Sequence, residues 1–191
     1  MWVTIFKLVQ FIIMGIFVVF ISDFRKKTGM VPLVNEKITK LLKFSYFGPL
    51  IICGYTLANM VYLTYLDFLA LALTFLGTFI VVKSKLDLGI CHTWAGYSKQ
   101  SSELEVSGIY AYIWHLLYTG IHLFSVGELL TLVLHAQWHL TLIAIIMGLF
   151  MISFLTITAS KETDYLTKNL GEHFIKYKEQ VHPFLPIKKY S

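Results

Sequence analysis

Side chains that could bind or deprotonate a small molecule gather at two places in this chain, and each place adjoins an apolar run. At the first, Tyr110, His115 and Tyr118 stand between a polar stretch and an apolar span. At the second, Glu162 follows the last apolar span. A neutral imidazole can accept a proton, and a carboxylate can bind a cation or sugar hydroxyls. We therefore expect both places to build one pocket if the intervening spans fold back on each other.

The composition is typical of an integral membrane protein. Of 191 residues, 57% are hydrophobic and 14% are charged, whereas soluble domains have about 25% charged residues. In this context the net charge of +5 indicates topology and contact with anionic lipid before it indicates nucleic acid. Cys53 and Cys91 fall in an apolar span and a polar loop respectively, so we expect no disulfide between them.

Five apolar runs approach the length of about 20 residues that a membrane-spanning helix needs. We therefore predict an all-α integral membrane protein with five transmembrane helices. The connection over 135–138 is short, so the fourth and fifth helices should form an antiparallel hairpin. The predicted spans are 2–21, 44–66, 68–82, 116–134 and 139–158.

The basic residues predict the orientation of these spans. Apart from Lys7, every lysine lies in the first loop, the long third loop or the C-terminal tail, and so does Arg25, the one arginine. Basic loops stay in the cytoplasm. We expect an N-terminus outside, a C-terminus in the cytoplasm and, for a prokaryotic protein, a location in the cell membrane. Both polar places then lie on the cytoplasmic side.

The C-terminal tail is predicted to form an amphipathic helix over Leu166–Val181. Its apolar residues recur at spacings of three and four, with charged residues on the other face. Pro183 should end it. Lying on the cytoplasmic membrane surface, this helix could close a pocket at the mouth of the fourth and fifth spans.

A series of short motifs follows the second apolar hairpin in a definite order. The motifs are Leu88-Gly89, Gly108-Ile109-Tyr110, His115-Leu116-Leu117-Tyr118, Glu162, Gly171, Tyr177 and Pro186. This series resembles the isoprenylcysteine carboxyl methyltransferase family. The resemblance covers residues 83–191 and leaves 1–82 as a three-helix anchor within a single membrane domain.

The resemblance implies a methyltransferase that binds S-adenosylmethionine at the cytoplasmic membrane surface. The methyl acceptor would be a small or lipidic molecule from the bilayer, with neither a metal nor nucleic acid involved. An amine or thiol acceptor must lose a proton, and His115 is the nearest candidate base. The family's substrate-binding position corresponds to Thr158. The implied cofactor-binding residues are Ser102, Glu103, Leu104, Glu105, Tyr110, His115, Leu116, Leu117, Tyr118 and Glu162.

Four residues depart from the family's motifs. Trp114, Leu116 and Ser102 stand where the family has arginine, proline and histidine. Thr158 replaces an arginine that the family uses at the substrate. Threonine lacks the charge that pairs with a carboxylate through two hydrogen bonds. We therefore do not expect a prenylated cysteine carboxylate to be the acceptor.

Other interpretations besides a methyltransferase remain open. Membrane sterol-type reductases have a similar tyrosine–histidine segment and use NADPH, although a 2′-phosphate usually needs an arginine. A third possibility is a family member that has lost catalysis and acts as a membrane scaffold. At the residue level, Trp114 could be an interfacial anchor and Glu162 a helix N-terminal acid.

Other histidines and one acid allow a different kind of site. His122 and Glu128 lie inside the fourth span, where ionisable residues are functional candidates. His135 and His139 could bind haem or a metal from one helix face. They fall at a predicted extracellular turn, however, where contact with solvent is a simpler explanation.

Overall fold

The computed structural model describes residues 1–22, 30–89, 97–99 and 106–184. Within these ranges the protein is all-helical apart from one short pair of strands and an isolated bridge. A 3-10 helix at Gly108–Ala111 precedes α4. In chain order the elements are α1 (Trp2–Ile21), β1 (Met30–Pro32), α2 (Glu36–Asn59), α3 (Tyr65–Leu88), β2 (Tyr97–Lys99), α4 (Leu116–His135), α5 (Trp138–Leu170) and α6 (Glu172–Gln180).

Four helices of the described chain are long and apolar enough to cross a membrane, namely α1, α3, α4 and α5. This supports the predicted class of an all-α membrane protein. The second predicted span is the exception, since α2 is not among the four. It begins earlier than predicted because the Asn35 side chain accepts a hydrogen bond from the backbone nitrogen of Lys37 at 2.9 Å. Its first turns are therefore polar.

The predicted boundaries of the third span are also wrong. The carboxylate of Asp67 accepts hydrogen bonds from the backbone and hydroxyl of Thr64 at 2.6 and 2.8 Å. This capping box starts α3 at Tyr65, so Asp67 lies in the first turn of the helix instead of in the loop before it. At the other end, α3 continues to Leu88 and includes Lys83, which we had expected in a loop.

Helices α3 and α4 pack with their backbones in contact. A side chain at Gly77 would meet the backbone of Phe124, and one at Gly127 would lie 2.7 Å from the Ala70 carbonyl. Small residues allow this close approach, which is common between membrane helices. The packing fixes α4, and therefore His115 and Tyr118 at its start, against α3.

The hairpin of α4 and α5 is as predicted, with Ala136 and Gln137 between the two helices. Because the helices are antiparallel, the first turn of α4 lies beside the last turns of α5. Helix α5 extends to Leu170, well beyond the predicted end of the span at Thr158. Gly171 then adopts a φ of +54°, a left-handed conformation that ends the helix and is easiest for glycine.

That break corrects the predicted tail helix. The segment from Leu166 to Leu170 belongs to α5, and α6 starts only at Glu172. Helix α6 buries Phe174 and Tyr177, which pack with Val181 against Trp114. The tail helix is therefore shorter than expected, and its apolar face lies on the segment before α4.

Contacts between loops identify which ends of the helices lie together. Strand β1 pairs antiparallel with β2, with Val31 opposite Ser98, so the first and third loops meet. At the opposite end, the ammonium of Lys7 donates to the Ala58 carbonyl at 2.9 Å. The hydroxyl of Tyr62 there donates to the carbonyl of Leu134 at 3.3 Å. The starts of α2 and α4 thus share one end of the bundle with the end of α5.

Candidate functional site

Three of the predicted site residues meet where α4 begins and α5 ends. The hydroxyl of Tyr118 donates to Glu162 Oε2 at 3.1 Å. Nδ1 of His115 lies 3.9 Å from the same oxygen. His115 and Tyr118 are three residues apart and share a face of the first turn of α4. The predicted proximity of these three side chains is confirmed, and we refer to them with Thr163 as the interhelical cluster.

The contacts of Thr163 bear on which ring nitrogen of His115 has the proton. Its hydroxyl donates to the Ala159 carbonyl at 2.9 Å, and its oxygen lies 3.1 Å from His115 Nε2. The roles in the contact with Nε2 depend on the His115 tautomer. When the Thr163 hydrogen stays on the Ala159 carbonyl, Nε2 is the donor and Nδ1 has its lone pair on the Glu162 side.

His115 is neutral near pH 7. Its side chain is 6% exposed, and this burial lowers its pKa to about 4, although a hydrogen bond to the Ala159 carbonyl acts in the opposite direction. The separation of 3.9 Å from Glu162 is therefore not an ion pair. It is also too long for a direct hydrogen bond. A donor placed between Nδ1 and the carboxylate could bind both.

Aromatic rings enclose this histidine. The rings of Trp114 and Phe184 stack on the imidazole at centroid distances of 5.2 and 5.5 Å. Tyr118 lies at 5.5 Å in a tilted arrangement. Such surfaces suit a flat heteroaromatic ligand and shield the imidazole from water.

Two buried polar atoms near the cluster have no hydrogen-bond partner among the described residues. They are Oγ1 of Thr158 and Nε1 of Trp114. Thr158 is fully buried and precedes Glu162 by one turn of α5. Unpartnered buried polar groups are uncommon in native proteins and often indicate a ligand or water. The two atoms supply an acceptor–donor group and a donor for such a ligand.

Tyr110 belongs to the neighbourhood of the site but has a structural partner. Its hydroxyl hydrogen-bonds to the Ser84 hydroxyl on α3. Burial raises its pKa, the Ser84 hydrogen bond lowers it, and the charge of nearby Glu162 raises it further. The Tyr110 carbonyl accepts a hydrogen bond from the Tyr177 hydroxyl at 2.5 Å. Tyr110 therefore connects α3 and α6 at the edge of the site.

The segment after α6 covers the cluster, which the sequence did not predict. The backbone nitrogens of Trp114 and His115 donate to the carbonyls of His182 and Pro183 at 3.3 and 2.9 Å. These bonds hold the His115 backbone and bring the Phe184 ring onto the imidazole. No sequence pattern marks this pairing, because a two-residue bridge has no periodicity. Thr163 and Ser84 were missed for a similar reason, since a lone hydroxyl has no signature.

Two of the predicted cofactor-binding residues have apolar surroundings. Leu116 is fully buried with Tyr110 and Ile113. Leu117 packs against the main hydrophobic core. Both support the site from behind without offering polar groups to it. The predicted cofactor-binding segment Ser102, Glu103, Leu104 and Glu105 lies outside the described residues.

His135 and His139 lie at the end of the bundle opposite the interhelical cluster, and His135 does not contact solvent as expected. Nε2 of His135 lies 2.7 Å from Asp67 Oδ1, and both side chains are buried, at 2% and 0% exposure. Pairing across α3 and α4, rather than contact with solvent, accounts for His135. His139 lies in the first turn of α5, and no group of three or more potential metal ligands occurs among the described residues.

Comparison of the sequence with protein-family models and with curated proteins gives no match in either case.

Proposed function

We propose that this chain is an integral membrane methyltransferase that uses S-adenosylmethionine and resembles the isoprenylcysteine carboxyl methyltransferase family. The observation that most supports the proposal is the interhelical cluster. It combines a half-buried carboxylate, a neutral imidazole and aromatic surfaces with two unpartnered polar atoms nearby. When bound, the cofactor would supply a methyl group on a cationic sulfur.

The chain's own groups fit the parts of such a cofactor. The Glu162 carboxylate is suited to an ammonium or to ribose hydroxyls, and Tyr118 holds it in place by donating to Oε2. The rings of Trp114 and Phe184 offer surfaces for an adenine. The free donor of Trp114 Nε1 is available to a carboxylate or a ring nitrogen.

His115 is the nearest candidate base for an amine or thiol acceptor, and its pKa of about 4 makes it a weak one. At pH 7 the imidazole is neutral, and in the Nε2–H tautomer Nδ1 has a free lone pair. In a direct displacement the protein mainly aligns the two reactants and keeps water away. The aromatic enclosure and the segment after α6 provide that exclusion here. A carboxylate acceptor would need no base.

The acceptor we propose is small or lipidic and is not a prenylated cysteine carboxylate. Thr158 is fully buried and offers only a hydroxyl. A carboxylate substrate at this position would enter a buried environment without a fixed cation, which is costly.

The proposal includes five spans with the C-terminus in the cytoplasm. Helix α2 would cross the membrane with its apolar part, from Phe44 to Asn59, together with the four other helices. The pairing of β1 with β2 supports this arrangement, because it brings two basic loops to the end of the bundle that holds the interhelical cluster.

The test is ligand binding to the purified full chain in detergent or nanodiscs, with S-adenosylhomocysteine and NADPH as the two probes. We expect saturable binding of S-adenosylhomocysteine and none of NADPH. Binding of NADPH alone would favour the reductase interpretation. Binding of neither nucleotide by folded protein would contradict the proposal and leave the scaffold interpretation.

A further inference from the structure

A second polar site lies at membrane depth, far from the interhelical cluster. Glu128 is 4% exposed and occupies the middle of α4. Along α4 the interval from Tyr118 to Glu128 corresponds to about 15 Å. A ligand head held at Glu128 is therefore out of reach of His115 and Glu162.

One oxygen of this carboxyl group is fixed by a network across three helices. Nε2 of Gln10 on α1 donates to Glu128 Oε1 at 3.1 Å. The Thr74 hydroxyl on α3 lies 3.2 Å from Gln10 Oε1. Both Gln10 and Thr74 are fully buried. The network orients the carboxyl group and occupies one of its oxygens.

The other oxygen, Oε2, is buried and has no hydrogen-bond partner among the described residues. An unpaired carboxyl oxygen in an apolar interior is costly, and intramembrane acids commonly mark a site of function. The buried Cys53 thiol also lies near enough to this carboxyl group to interact with it, but a thiol is only a weak donor. The bonding of Glu128 is thus incomplete within the described protein.

Glu128 lines a cleft between α2, α4 and α5 with a cavity volume of about 90 Å³. The walls are mostly apolar, and the exposed side chains of Val126 and Leu149 lie along it. Because these residues belong to candidate membrane spans, the cleft opens toward the hydrocarbon of the bilayer.

The charged and polar side chains of the cleft indicate which polar group a ligand bound there would have. Glu128 is the one carboxylic acid among its described lining residues, and none of those residues is a lysine, arginine or histidine. The hydroxyl of Tyr46 also lines the cleft and has no hydrogen-bond partner among the described residues. The hydroxyl hydrogens of Ser45 and Ser125 are directed to the carbonyls of Leu41 and Ile121. Their oxygens and the oxygen of the Tyr46 hydroxyl remain acceptors, which suits a donor-rich cation.

We propose that this cleft binds a single-chain lipidic amine from the bilayer, with its ammonium on Glu128 Oε2 and its alkyl chain along α4 and α5. The ammonium supplies the missing donor and the counter-charge together. A long-chain alcohol would supply only one donor and no charge, and a fatty acid would be repelled. The site is independent of the proposed methyltransferase activity.

Two glycines allow a sharp test of the location. A side chain added at Gly148, which lines the cleft, meets nothing within 4 Å, so Gly148→Leu should fill the cleft without disturbing the fold. Gly15 on α1 is exposed and equally free of neighbours, so Gly15→Leu adds the same bulk outside the cleft. Glu128→Gln keeps the shape of the head site and removes its charge.

The experiment is photolabelling of the full chain in nanodiscs with dodecylamine and dodecanol analogues that have a diazirine on the alkyl chain, followed by mass spectrometry of the labelled peptides. We expect saturable labelling of α4 and α5 by the amine, exceeding that by the alcohol by about tenfold or more. Glu128→Gln should remove this preference, and Gly148→Leu should remove the labelling, while Gly15→Leu should change neither.

Equal labelling by amine and alcohol in the unmodified protein would overturn the proposal, and so would undiminished labelling of Gly148→Leu. If Glu128→Gln does not fold, these two comparisons still decide the result. Glu162→Gln should leave amine labelling unchanged, and Gly148→Leu should leave S-adenosylhomocysteine binding unchanged. Failure of the amine site is thereby distinguished from failure of the proposed methyltransferase.

Discussion

The hydroxyl of Tyr118 on α4 donates to Oε2 of Glu162 on α5 at 3.1 Å, and this bond joins the two halves of the candidate site. Removing it by Tyr118→Phe leaves the ring in place and frees the carboxylate to rotate. We expect S-adenosylhomocysteine to bind about two- to tenfold more weakly, the range for one hydrogen bond. Titration calorimetry would measure this.

The matched control for that change is Tyr65→Phe, because Tyr65 is 95% exposed at the start of α3. It should bind as the unmodified protein does. Equal losses in the two variants would show that the Tyr118 hydroxyl has no specific role at the site.

His115 makes stability depend on pH. Burial lowers its pKa from 6.5 to about 4 in the folded protein, so between these values the unfolded chain binds a proton that the folded protein does not. The free energy of unfolding is therefore unaffected by His115 above about pH 6.5 and is lowered by about 3 kcal/mol as the pH falls toward 4. Denaturant unfolding in detergent at several pH values would measure it.

Other groups also titrate in this range, so the comparison must be with His115→Gln. We expect the variant to lose less stability than the unmodified protein between pH 6.5 and 4. Identical pH profiles would mean that His115 is not buried as the structure describes.

The pair of Asp67 and His135 should matter for stability and not for ligand binding. It lies at the end of the bundle opposite the interhelical cluster, with both side chains buried. Asp67→Asn removes the charge that faces His135 and weakens the cap of α3, at a cost of about 3 kcal/mol or more. Thermal unfolding should show the loss, whereas S-adenosylhomocysteine affinity should be unchanged.

Glu179→Gln is the control for Asp67→Asn, since Glu179 is an exposed acid on α6. It should leave the unfolding temperature nearly unchanged. A large drop in nucleoside affinity in folded Asp67→Asn protein would show coupling between the two ends that our interpretation does not include.

Thr158 leads to a negative prediction about the acceptor. Its hydroxyl cannot replace an arginine in pairing with a carboxylate, an interaction worth about 1.5 to 3 kcal/mol. We expect little transfer of a radiolabelled methyl group to a farnesylated cysteine analogue. Efficient transfer would show that another group, such as a lysine, binds the substrate carboxylate.

The sequence predicted those spatial arrangements that depend on hydrophobic periodicity and on loop length. The short connection between α4 and α5 predicted that the start of one helix lies beside the end of the other, and thereby that His115 lies near Glu162. The residues at which helices begin and end were harder to predict. They depend on single hydrogen bonds, such as that from the Lys37 backbone nitrogen to the Asn35 side chain, and on the positive φ of Gly171.

Contacts between distant segments could not be predicted at all. The pairing of His115 with Pro183, and the stacking of Phe184 on the imidazole, depend on how the tail returns after α6. Similarly, His135 was attributed to a solvent-exposed turn because nothing in the sequence relates it to Asp67. Such contacts arise from tertiary packing that one sequence does not encode as a local pattern.

The most direct test of the central claim compares S-adenosylhomocysteine binding to the unmodified chain, to Glu162→Gln and to Glu172→Gln by titration calorimetry. Glu172 is an exposed acid at the start of α6, so its change alters net charge equally without touching the cluster. We predict that Glu162→Gln weakens binding about tenfold or more while Glu172→Gln binds normally. Unchanged affinity in folded Glu162→Gln protein would contradict the assignment of this cluster as the cofactor site.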